Sequence, residues 1–138
     1  MEIQIKETDI NITNHHIVGN IFRNILQNES DIDQDKEHFW VMGLNQRNRI
    51  KYIELVSLGT LSSSLVHPRE TFRMAILKGV AGIIAVHNHP SGDPSPSEDD
   101  LTLTVRLREA GKIIGINLLD HIIIAGQKQR SFKDEGLL

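Results

Sequence analysis

The sequence predicts a single α/β domain in which a mixed central sheet is flanked by helices. Three observations carry that prediction. The chain has 138 residues, enough for one ordinary domain and too few for two. Its apolar share of 39 % and charged share of 24 % are those of a globular chain, not of a disordered or fibrous one. Segments of strand period and of helical period follow in the order helix, hairpin, helix, strand, helix, strand.

The first seven residues alternate polar and apolar and lack the basic segment and apolar run of a secretion signal. Ile17, Val18, Ile21, Phe22, Ile25 and Leu26 recur at helical spacing, which predicts a helix over 14–27 with Asn14 as its cap. The acidic stretch 29–35 reads as a solvated connector. Helix and connector form an N-terminal part, residues 1–36, packed on the domain made by 37–138. His38 to Leu44 is apolar on both alternating faces, as in an interior strand. A polar turn at 45–48 joins it to Ile50–Leu58, and the pair reads as a β-hairpin. Pro68 suits a first helical position and Gly79 a helix stop. Gly82 to His89 is a short apolar strand ending in polar residues. Three of the four prolines then fall at 90, 94 and 96, which predicts an irregular loop. Leu103, Leu107 and Ala110 restore the helical period, with Gly111 as the expected stop. Leu118 to Ala125 is a buried strand, and the tail after Gly126 is polar.

Composition excludes several functions. No cysteine is present, which removes disulfide frameworks, thiolate zinc fingers, iron–sulfur clusters and a cysteine nucleophile. It also removes a zinc nucleobase deaminase, whose ligands include a Pro-Cys-x-x-Cys segment. The net charge of −3 is not the footprint of a nucleic-acid binder, so DNA binding is expected to be weak and salt-sensitive. No apolar run approaches the length of a membrane span, and a cytoplasmic protein is expected.

The informative segment is His87-Asn88-His89-Pro90-Ser91-Gly92-Asp93-Pro94-Ser95-Pro96-Ser97-Glu98-Asp99-Asp100. Alternate residues of an extended chain point to the same side, so His87 and His89 present two imidazoles to one point while Asn88 faces away. The loop turns the chain back, and Asp100, one turn into the next helix, can supply a carboxylate oxygen. Two histidines and a carboxylate with a fourth position open to water make a catalytic zinc site. The same Ser97-x-x-Asp100 also fits a helix capping box, a reading that competes for Asp100. Asp99 is the local rival, but neighbouring helix residues point about 100° apart.

His87-x-His89-Pro90, six residues, then Ser97-x-x-Asp100 resembles the JAMM motif of the JAB/MPN-domain metallopeptidases. With His67-Pro68-Arg69-Glu70 upstream and Leu118-Leu119-Asp120-His121 downstream, the chain is similar to the RadC branch of that family, which tradition links to DNA repair. The resemblance runs from Glu37 to the C-terminus, about three quarters of the chain. It implies an αβα MPN fold and a peptidase or isopeptidase site acting on a peptide or protein, with one zinc per chain. His87, His89 and Asp100 would be the ligands, Ser97 an oxyanion donor and Glu37 the general base. RadC-type proteins carry a helix-hairpin-helix segment upstream, and residues 1–36 show no paired Gly-rich hairpins. An alternative role is a non-catalytic metal-binding accessory protein of DNA repair or conjugation.

Other residues compete for roles. Glu70 is the rival base, against a reading as a first-turn helix acid. Asp120 and His121 read as packing residues or partners of a ligand histidine, with a fourth ligand as the other option. His67 flanks the Pro68 helix, and His15, His16 and His38 have no metal spacing with one another. Arg47, Arg49 and Lys51 read as a solvated edge that discourages strand pairing.

Overall fold

Asn14 opens the first helix, as expected. In a computed structural model describing residues 2–3, 11–59 and 66–138, its side-chain oxygen accepts from the His16 and Ile17 N–H groups. This helix, α1 (His15–Gln27), buries Val18 and Phe22. The acidic stretch that follows is not wholly a loop. Ser30 accepts from the Asp33 N–H and caps a single turn, α2 (Asp31–Gln34), whose N-terminal end suits Asp31 and Asp33.

The predicted hairpin is formed by β2 (His38–Leu44) and β3 (Ile50–Leu58). The Asn45 side chain holds its turn by accepting from the Arg47 and Arg49 N–H groups. The basic stripe at 47–51 lies on an edge that is paired on either side of Lys51. The outer side of β3 is paired with β1 (Glu2–Ile3) and extended by an Asn11–Arg49 bridge.

Pro68 and Gly79 bound two short helices, α3 (Pro68–Thr71) and α4 (Arg73–Lys78), with the break at Phe72. Strand β4 (Gly82–Asn88) is buried along its whole length, and α5 (Glu98–Ile114) crosses over to β5 (Asn117–Ala125), parallel to β4. Gly111 does not end α5, which continues to a left-handed Gly115. Gly111 instead permits close packing: a Cβ there would run into the Ile116 carbonyl oxygen. The tail is not only coil. Polar β6 (Lys128–Ser131) pairs antiparallel with β5 and satisfies the backbone groups on its outer side.

The strand order is β1-β3-β2-β4-β5-β6, and only the β4–β5 pair is parallel, so the sheet is mixed. Strand alternation sorts the core into two layers. Phe39, Val41, Ile83 and Ala85 meet Phe72, Ala75, Leu103 and Leu107 on one face. Trp40, Met42, Ile84 and Val86 meet Val18 and Phe22 on the other. Helices therefore cover both faces, the αβα arrangement of an MPN domain. Among the described residues, no helix is long and apolar enough to cross a membrane.

Candidate metal centre

The C-terminal end of β4 carries the chemistry-bearing residues. The His89 N–H donates to the Ile124 carbonyl at 2.8 Å, extending the β4–β5 ladder one residue past the strand. The His89 ring is held as well: its Nδ1 lies 2.9 Å from the Asp93 carbonyl oxygen. A carbonyl cannot donate, so His89 carries its hydrogen on Nδ1, and in the neutral ring Nε2 keeps a lone pair.

The three residues picked out by spacing come together. Their ligand atoms all lie within 4.8 Å of one another. His87 Nε2 is 2.9 Å from His89 Nε2, and each is 3.1 Å from an Asp100 oxygen, Oδ1 for His87 and Oδ2 for His89. The two readings of Asp100 coexist. Its Oδ2 also accepts the Ser97 N–H at 2.8 Å, while Ser97 Oγ accepts the Asp100 N–H at 3.1 Å, completing the capping box. The cap thus aims the carboxylate at the histidines.

This donor set could bind a metal. Nitrogen lone pairs and carboxylate oxygens facing one another at such distances repel unless a cation, proton or metal, lies between them. Bonds of about 2.0–2.1 Å to a tetrahedral zinc set ligand atoms about 3.3 Å apart, a few tenths beyond what is observed. Burial pushes the Asp100 carboxyl up, but the hydrogen bonds that charged imidazoles at His87 and His89 donate to it outweigh burial and hold the group below the usual carboxylate range. The hydrogen bond to Asp100 raises His89 despite its partial burial.

These opposite shifts set a pH window for metal-stripped protein. A lowered Asp100 contributes stability that is present above its unfolded value and lost as pH falls through its folded one. A raised His89 contributes stability that is present below its unfolded value and lost as pH rises through its folded one. The excess stability of wild type over His89→Ala is therefore expected to be largest between about pH 4 and 6.5. Thermal melts across that range check it, and parallel profiles for the two proteins would refute it.

Glu37 immediately precedes β2, and antiparallel pairing of Phe39 with His87, continued by two residues, sets it across from His89. Glu37, His89, Ser97 and Asp100 line one cavity of about 230 Å³. Asn88, which spacing only turned away from the metal point, holds this approach. Its Oδ1 accepts the His38 N–H at 2.6 Å and its Nδ2 donates to the Lys36 carbonyl at 3.0 Å, gripping the backbone on both sides of Glu37. The available signal was a polar residue between two histidines at the end of an apolar strand, and the structure buries it. Asn88→Leu strands these backbone partners and is expected to destabilise the fold by about 1–3 kcal/mol, as read by denaturant melts.

The remaining residues separate clearly. Glu70 is exposed in the first turn of α3 and does not line the cavity. Asp99 reaches the cavity but is not one of the converging ligand atoms. His121 is fully buried behind His87, its Nε2 2.8 Å from His87 Nδ1, turned to the far nitrogen and not to the convergence point. Asp120 ties β5 to the C-terminal segment, accepting from the Ser131 hydroxyl and the Lys133 N–H. His67 occupies the cap position of α3 without a side-chain cap bond. His38 stacks on Trp40, and His15 pairs with Asp134.

Comparison with known proteins agrees with this architecture. The family model described as "RadC-like JAB domain" matches residues 12–137. A UPF0758 protein of Desulforudis audaxviator is 59 % identical over 103 residues, 75 % of this chain and 45 % of its own length. Another, from Desulforamulus reducens, is 56 % identical over 106 residues, 77 % of this chain and 47 % of its own. A third, from Methanosarcina acetivorans, is 51 % identical over 106 residues, 77 % of this chain and 46 % of its own. The chain spans about half the length of these curated relatives. Matched over nearly its whole length by the family model, the chain belongs to the RadC-like JAB domain family.

Proposed function

We propose that this chain is a zinc-dependent hydrolase of metallopeptidase or isopeptidase type, with one zinc held by His87, His89 and Asp100. The observation that carries the proposal is the convergence of these three side chains beside a cavity shared with Glu37 and Ser97. When bound, zinc would lower the pKa of water towards about 7 and polarise a carbonyl. Glu37 takes the proton of the attacking water and passes it to the leaving amine. The Ser97 oxygen accepts the Asp100 N–H, so its hydroxyl hydrogen can be donated to the oxyanion. Losing such a donor costs about 3 kcal/mol of transition-state stabilisation.

A closed structural zinc site, as a purely accessory protein would use, calls for a fourth protein ligand. His121 is the nearby candidate, and its orientation towards His87 Nδ1 argues against it. The test is hydrolysis of peptide and isopeptide substrates by zinc-loaded, chelator-stripped and zinc-restored protein. Turnover should vanish on stripping and return with zinc. Full metal occupancy without hydrolysis of any amide substrate would favour the accessory role.

A further inference from the structure

Behind His87 lies a buried chain of contacts that ends on a metal-site residue. Thr104 stands one turn after Asp100 on α5. Its Oγ1 is 2.7 Å from the Asp100 carbonyl oxygen and 2.6 Å from His121 Nδ1. His121 Nε2 is in turn 2.8 Å from His87 Nδ1. Thr104, His121 and His87 are all buried. The His121 ring is clamped, stacked on Phe132 and edge-on to Phe39.

Each of these contacts needs one hydrogen, and that requirement decides their direction. A carbonyl oxygen carries none, so the 2.7 Å oxygen–oxygen contact is a bond only if the Thr104 hydroxyl hydrogen lies in it. That hydroxyl has no second hydrogen, so Oγ1 meets His121 as an acceptor and His121 carries its hydrogen on Nδ1. In the neutral ring this is the only hydrogen on nitrogen. Its Nε2 is then a lone pair and accepts the His87 Nδ1–H. His87 Nε2 is left with a lone pair facing Asp100 and His89. The reverse order would leave two oxygens in contact without a hydrogen. It would also put a hydrogen on His87 Nε2, where a ligand needs a lone pair.

We infer that Thr104 and His121 are positioning residues that hold His87 in its Nδ1–H form, presetting Nε2 as a metal ligand. The tautomer is read from the buried contacts behind His87, against the 3.1 Å contact of its Nε2 with Asp100, which without a metal favours the other form, and its consequence for zinc rests on the proposed hydrolase reading. Asp100 then acts twice: its carboxylate faces the metal point, and its main-chain carbonyl anchors the chain that sets His87.

The test combines long-range proton–nitrogen NMR of the histidine rings in metal-free protein with zinc affinity from chelator competition. Spectra are recorded about two pH units above the ordinary histidine value of about 6.5, where an ordinary imidazole is neutral. Wild-type His87 and His121 should then both show Nδ1–H. Thr104→Val should move both rings towards Nε2–H and weaken zinc binding about 10–100-fold. Thr104→Ser keeps the hydroxyl and should restore both readouts, which a packing role for the Thr104 methyl would not explain. Wild-type His87 carrying Nε2–H would overturn the inference, as would unchanged ring signals and zinc affinity in Thr104→Val. The expected tautomers without zinc uptake would support the relay and overturn the zinc reading. Tight zinc uptake with His87 in the Nε2–H form would do the reverse.

Discussion

Glu37→Gln is expected to keep zinc and fold while lowering turnover by about 10²–10⁴-fold, the scale of general acid–base catalysis. The substitution keeps size and hydrogen bonding and removes only the carboxylate proposed as the base. The expectation rests on the shared cavity and on the antiparallel register that sets Glu37 across from His89. Glu70→Gln is the control. As an exposed first-turn acid, Glu70 is worth about 0.3–1 kcal/mol of helix stability, so turnover should hardly change. Steady-state rates on a substrate cleaved by wild type, with elemental analysis and circular dichroism of each variant, make the comparison. Equal rates in Glu37→Gln and wild type, or a collapse confined to Glu70→Gln, would remove Glu37 from the mechanism.

His89→Ala and Asp100→Ala should each lose most of about one zinc per chain, the second large effect. Asp100 belongs to the cap and, in the proposed site, to the ligand set, so Asp100→Ala should also cost about 0.5–2 kcal/mol of stability. Asp100→Asn separates the roles. Its amide oxygen can still accept the Ser97 N–H, but it brings no negative charge to a metal. This variant should retain most of the stability and lose zinc. Full zinc content in both alanine variants, by elemental analysis of freshly purified protein, would end the ligand assignment.

How much of this was legible depended on the range of the interactions. The His87–His89 pair follows from strand period alone, and the Ser97–Asp100 cap from helix-start spacing, so both were readable locally. The hairpin was readable because its two apolar runs flank a polar turn. Gly111 was misread because the Ile116 carbonyl that crowds it is brought back by the chain after the helix, not by helix period. The β6 strand was missed because polar Lys128 to Arg130 pair only where the edge of β5 is offered. Local sequence alone did not establish that β2 lies beside β4. Glu37 could therefore be matched by resemblance but not placed by spacing. Asn88 and the Thr104–His121 chain share that cause, since each joins residues at least 17 positions apart.

The most direct measurement is a crystal structure of the zinc-loaded protein. Zinc is expected about 2.0–2.1 Å from His87 Nε2, His89 Nε2 and one Asp100 oxygen, with an open fourth position facing Glu37. Zinc bound elsewhere, a fourth bond to His121, or Glu70 in the place of Glu37 would contradict it.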